Sequence, residues 1–126
     1  MTRREFQTLA RRSLREAQVL LAARQYAGAY YLAGYAIECG LKACIAKAAR
    51  PNQFPEKNTR KYYTHNLDDL LDLAGLQQML PAGLTRAWLV VKDWNEESRY
   101  ETKTRAQARD LRQSVADVLN WIETQW

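Results

Sequence analysis

Apolar residues return along this chain at intervals of three and four nearly everywhere, and no stretch alternates apolar and polar positions with β-branched enrichment. The pattern predicts an all-α chain. Phe6, Leu9, Ser13, Ala17, Leu20 and Leu21 form one stripe of a first helix over about Thr2 to Arg24. Gln25 to Ala49 form a second helix that is apolar nearly all round, through Tyr26, Ala29, Tyr30, Leu32, Ala33, Ala36, Ile37, Leu41, Cys44 and Ile45, so it belongs at the centre of the core. Gly28, Gly34 and Gly40 cost helix propensity there and are expected where neighbours approach closely.

Pro51 to Thr64 is the longest irregular stretch, with prolines, asparagines and several basic residues, and it reads as a surface loop. Asn66 caps a short third helix with Leu67, Leu70, Leu71 and Ala74 on one face, and Gly75 stops it. A fourth helix opens near Pro81, with Leu84, Ala87, Trp88, Val91 and Trp94 on one stripe. The fifth follows Thr104 and carries Ala108, Leu111, Val115, Val118, Leu119 and Ile122. The expected architecture is an up-and-down helical bundle of four long helices plus one short helix, in a single domain over residues 1–126. Trp88 and Trp94 are expected in the core or at a dimer interface.

A composition of 47% hydrophobic and 26% charged residues is that of an ordinary globular protein, not a disordered one. No stretch of eighteen residues is free of charge and apolar, and Met1 to Arg15 lacks the apolar core of a signal peptide. A cytoplasmic protein with no membrane partner is therefore expected. Cys39 and Cys44 stand five apart on one helix, about 140° apart around its axis, which suits two buried thiols and not a mutual disulfide. With one histidine and two cysteines a four-ligand zinc site of the usual kind cannot be assembled within one chain. No metal and no cofactor is expected.

The net charge of +5 gathers in three stretches. These are Arg3, Arg4, Arg11, Arg12 and Arg15; then Arg50, Lys57, Arg60 and Lys61; then Arg99, Lys103, Arg105, Arg109 and Arg112. They suit either solvated helix faces or a polyanion surface, and their position beside the candidate chemistry favours a phosphate-rich partner.

That chemistry centres on His65, the one histidine of the chain, which follows Arg60 by five residues in Arg60-Lys61-Tyr62-Tyr63-Thr64-His65. An imidazole that moves protons near neutral pH and a guanidinium that never loses its charge are the minimum side chains for cleaving RNA without a metal. His65 also fits a simpler role at a helix start, bonding the backbone. Glu38 and Lys42, the charges inside the most apolar helix, stand at i and i+4 in the order that favours an ion pair. Alternatively, Glu38 orients an arginine or an imidazole from a neighbouring segment. Tyr62, Tyr63 and Tyr100 lie among Lys61, Arg99 and Lys103, an arrangement suited to stacking on an unpaired base beside a phosphate grip.

The segment Tyr26-Ala27-Gly28-Ala29-Tyr30-Tyr31-Leu32-Ala33-Gly34-Tyr35-Ala36-Ile37-Glu38-Cys39-Gly40-Leu41-Lys42-Ala43 resembles the second helix of HEPN domains, where small residues precede a Glu and then Leu-Lys. His65-Asn66-Leu67-Asp68-Asp69-Leu70-Leu71 is similar to that family's His-containing helix start. Ser98-Arg99-Tyr100 resembles its Arg-Tyr element, and Ala106 to Trp121 its closing helix, so the resemblance runs from about Leu9 to Trp126. It implies a small helical bundle that usually dimerises and, in many members, a metal-independent endoribonuclease with an Arg four to six residues before a His.

In that mechanism the histidine helps to move the proton of the ribose 2′-hydroxyl while the arginine steadies charge on the phosphoryl oxygens, leaving a 2′,3′-cyclic phosphate. Arg60 and His65 match the pair, although Lys61 stands where the active toxins commonly carry a small polar residue, and the motif straddles a loop instead of lying on a later helix. Arg99 is the alternative partner of His65. The expected activity is toxin-like RNA cleavage by a homodimer, with a minimal nucleotidyltransferase antitoxin as a further partner that could modify Tyr62 or Tyr63. The alternative is a non-catalytic nucleotide- or RNA-binding subunit of such a nucleotidyltransferase.

Overall fold

The structure is a computed structural model and describes residues 1–49 and 63–126. Five α-helices account for most of it: α1 Arg3–Ala22, α2 Tyr26–Ala48, α3 Leu67–Leu73, α4 Thr85–Val91 and α5 Arg105–Ile122. Short 3-10 turns occupy Gln77–Met79, Ala82–Leu84 and Glu96–Tyr100. The all-α reading of the sequence is the observed fold.

Local chemistry sets the helix ends. Thr2 and Thr104 each open a helix with a reciprocal capping box, closed by Glu5 and Gln107 respectively. Asn66 Oδ1 accepts a hydrogen bond from the Asp69 backbone N–H at 2.9 Å and so starts α3. Two helices end in the same pair of backbone bonds. After α3, Gly75 N–H donates to Asp72 O and Leu76 N–H to Leu71 O, with Gly75 at φ 75°. After α1, Arg24 N–H donates to Leu21 O and Gln25 N–H to Leu20 O, but here an arginine occupies the left-handed position, at φ 61°.

The turn at Arg24 is tight enough that α2 returns antiparallel along α1. The face of α1 that meets it consists of Ala10, Ser13 and Ala17, all buried, with Phe6 at the N-terminal end. Small residues let the two backbones come close. From Ala36 to Ala46 every residue of α2 is buried, as the all-round apolar pattern requires of a central helix. Arg11 near Glu123 and Trp126, with Arg24 near Arg105, makes α5 antiparallel to α1 and parallel to α2.

The glycines of α2 admit neighbours. A Cβ on Gly34 would stand 2.1 Å from the Trp94 ring, and one on Gly40 would stand 3.0 Å from Leu119 of α5. Trp94 also donates its indole N–H to the Tyr31 carbonyl at 3.2 Å, which fixes the ring against α2. The fourth helix is shorter than its apolar stripe suggests. Asn95 adopts extended backbone and caps the next 3-10 turn, so the α-helix ends at Val91 and Trp94 reaches the core from the connection beyond it. Three helices are therefore long and two are short. Trp88 and Trp94 are both core residues. Trp88 donates its indole N–H to Asp68 Oδ1 at 3.1 Å, tying α4 to α3.

Candidate functional site around His65 and Glu38

Tyr31, Tyr35, Glu38 and Lys42 recur at intervals of four, three and four, so they lie on one stripe of α2. At its deep end Glu38, 3% exposed, accepts a hydrogen bond from Lys42 Nζ at 3.0 Å. The same carboxylate meets His65 Nδ1, which lies 3.0 Å from Oε1 and 3.1 Å from Oε2. Burial of Glu38 is thus offset by two donors from different parts of the chain.

His65 is placed by the start of α3. It directly precedes the capping residue Asn66, whose N–H donates to Thr64 Oγ1 at 3.0 Å, and Leu67 behind it is fully buried. The imidazole is half exposed and its Nε2 makes no hydrogen bond among the described residues. With Nδ1–H donated to a buried carboxylate, the neutral ring presents the Nε2 lone pair outward, the tautomer a proton-transfer group requires. A cleft of about 390 Å³ opens beside it, lined by Thr64, His65, Asn66, Trp94, Asn95, Glu96 and Glu97. Its charged lining is therefore two carboxylates beside the histidine, with no lysine or arginine among the described residues.

Arg99 belongs to the 3-10 turn that supplies Glu96 and Glu97 but lies further toward the start of α2. Its guanidinium is 5.3 Å from the centre of the Tyr31 ring and 5.5 Å from that of Tyr100. Burial pushes the Tyr31 phenol above its ordinary pKa, and the Arg99 charge pulls against this. Glu38, which holds His65, and Tyr31, which receives Arg99, are seven residues apart, about 10 Å along the helix. The structure thus puts His65 and Arg99 along one stripe of α2 without a common contact. Lys103 is mostly covered, with Nζ 4.3 Å from the Tyr30 ring centre and 3.2 Å from Glu101 Oε1. Tyr63 and Tyr100 are exposed, Tyr100 to 81%. Arg60, Lys61 and Tyr62 lie outside the described residues.

The family model for the HEPN domain matches residues 4–125. The chain belongs to the HEPN family. No curated protein and no solved structure matches it. Within this HEPN domain the sequence leaves open whether Glu38 serves Lys42 or orients an imidazole, and the fold has it do both. Sequence reasoning missed the lining contributed by Trp94, Asn95, Glu96 and Glu97, because only the packing of Trp94 on Gly34 brings that connection beside α3. It also missed Tyr30 and Tyr31 as seats for cations. Their adjacency on a helix otherwise rich in alanine was the available signal. No helix among the described residues is long and apolar enough to cross a membrane.

Proposed function

We propose that this HEPN domain is a metal-independent endoribonuclease that leaves a 2′,3′-cyclic phosphate, with His65 as its acid–base group. The observation that carries the reading is the buried Glu38 carboxylate against Nδ1 of a half-exposed imidazole. A carboxylate in that position fixes the tautomer, aims Nε2 outward and stabilises the imidazolium formed when a 2′-hydroxyl gives up its proton. The attacking oxygen then closes on the adjacent phosphorus as the P–O5′ bond breaks, and the 5′-oxygen leaves as a hydroxyl after taking a proton from the imidazolium or from water. DNA, which lacks the 2′-hydroxyl, is not a substrate.

Charge on the phosphoryl oxygens requires fixed cations, which the described lining of the cleft does not include. Arg60 supplies them in this reading, or Arg99 of a second copy in a homodimer, with Tyr63 and Tyr100 as stacking surfaces for unpaired bases. The acidic lining and the engagement of Arg99 and Lys103 within the chain favour a second reading. In it the domain is a non-catalytic, nucleotide- or RNA-binding partner of a minimal nucleotidyltransferase in the cytoplasm.

Incubation of purified protein with end-labelled mixed-sequence RNA in chelator separates the two. Cleavage to cyclic-phosphate ends by the wild type, lost in His65→Ala, supports the ribonuclease. Intact RNA over a range of pH and substrates moves the assignment to the binding partner.

A further inference from the structure

A concentration of positive charge lies away from His65, between α1 and α5. Two cavities of about 370 and 330 Å³ meet there at Gln18, which lines both. Arg24, Arg105 and Arg109 line the first together with Tyr26, and Arg11, Arg15 and Arg112 line the second. One carboxylate, Glu123, faces these six arginines from the lining, 3.7 Å from Arg11 Nε. Arg109 has Asp110 beside it at the same distance. Arg15, Arg24, Arg105 and Arg112 have no ion-pair partner among the described residues. Arg112 Nε is buried without a hydrogen-bond partner.

Six guanidiniums along one groove repel one another at low salt, an unfavourable term that a bound polyanion would remove. Arg24 adds an independent observation. It holds the left-handed position that glycine takes in the equivalent turn after α3, so its side chain is kept at a conformational cost and reaches the first cavity.

We propose that the α1–α5 groove binds the phosphates of a single-stranded nucleic acid, at a site separate from the His65 centre. From Arg11 to its end at Ala22 the groove follows about 16 Å of α1, with Arg24 in the turn just beyond, longer than one mononucleotide needs and suited to several successive phosphates. Planar guanidiniums match phosphate oxygens bidentately, and Tyr26 offers a ring at the end of the track. Like charge along the face opposes its use as a contact between two copies. The proposal rests on the nucleic-acid reading given above but not on cleavage.

The test is anisotropy of a labelled oligodeoxynucleotide of about 12 nucleotides, which has no 2′-hydroxyl and so reports binding without reaction. Arg105→Gln/Arg109→Gln should weaken binding at least tenfold and reduce the slope of log affinity against log salt by about 1.4. Arg86→Gln, a charge loss on the exposed α4 face outside the groove, should change affinity less than twofold. Arg24→Gly should weaken binding and yet melt no lower than the wild type, since glycine suits that backbone. Equal losses in the Arg86 and groove variants, displacement by a polyglutamate peptide as readily as by nucleic acid, or binding of a nucleoside triphosphate as tight as that of the oligomer would each overturn the proposal. Failure of the wild type to bind the oligomer overturns it too, while RNA cleavage dependent on His65 is read in its own assay and stands or falls there.

Discussion

His65 Nδ1 lies 3.0 Å from Glu38 Oε1, and Lys42 Nζ lies 3.0 Å from the other oxygen of the same carboxylate. One buried acid therefore serves two purposes, holding an imidazole at the surface and balancing a lysine in the interior. These purposes separate on mutation.

Glu38→Ala removes one acceptor of the buried Lys42 and leaves a cavity at a buried position, and should cost about 3–5 kcal/mol in urea unfolding. Glu38→Met/Lys42→Met, which replaces the pair by apolar side chains, should recover most of that stability. On the proposed ribonuclease reading, RNA cleavage should be low in both variants, because neither holds the imidazole. Full activity in the stable double variant would assign Glu38 a purely structural role.

Gly34→Ala should destabilise the fold by about 1–3 kcal/mol, because the new methyl would stand 2.1 Å from the Trp94 ring. Trp94 seats the connection that lines the cleft beside His65, so the same variant should perturb that cleft. Gly83→Ala, whose Cβ meets nothing within 4 Å, is the matched control. Thermal melts of the two variants check the expectation.

Burial pushes the Cys39 and Cys44 thiols up to about 12 from an ordinary 9.0. The folded chain keeps protons that the unfolded chain releases above about pH 9, so stability is fully present below that pH and falls as pH rises toward 12. Tyr35, raised chiefly by burial, acts in the same direction. Urea midpoints should hold to about pH 9 and decline from there to pH 11, and both thiols should resist alkylation at neutral pH until the protein unfolds. Rapid labelling of the native protein would show that they are accessible.

Arg99→Lys keeps the charge but loses the planar group that lies over Tyr31 and Tyr100. If Arg99 serves a phosphate across a dimer, kcat for RNA cleavage should fall at least tenfold with little change in melting temperature. An unchanged rate would leave Arg60 as the arginine of the proposed mechanism.

The sequence by itself determined the helices and the composition of the central one. Periodicity, the caps at Asn66 and Thr104 and the stop at Gly75 are local effects, legible because each rests on residues within a turn of one another. Glu38, Lys42 and His65 were visible as chemistry out of place: two charges on an apolar helix and the one imidazole of the chain. That Glu38 takes both donors was not visible, because Glu38 and His65 stand 27 positions apart and meet only by the packing of α2 against the start of α3. The short α4 followed from competition between an apolar stripe and the pull of Trp94 toward Gly34 and the Tyr31 carbonyl, a contact between residues sixty and more positions apart. The arginine groove has the same origin. Its members come from opposite ends of the chain, and only the antiparallel packing of α1 on α5 turns two ordinary charged helix faces into one surface.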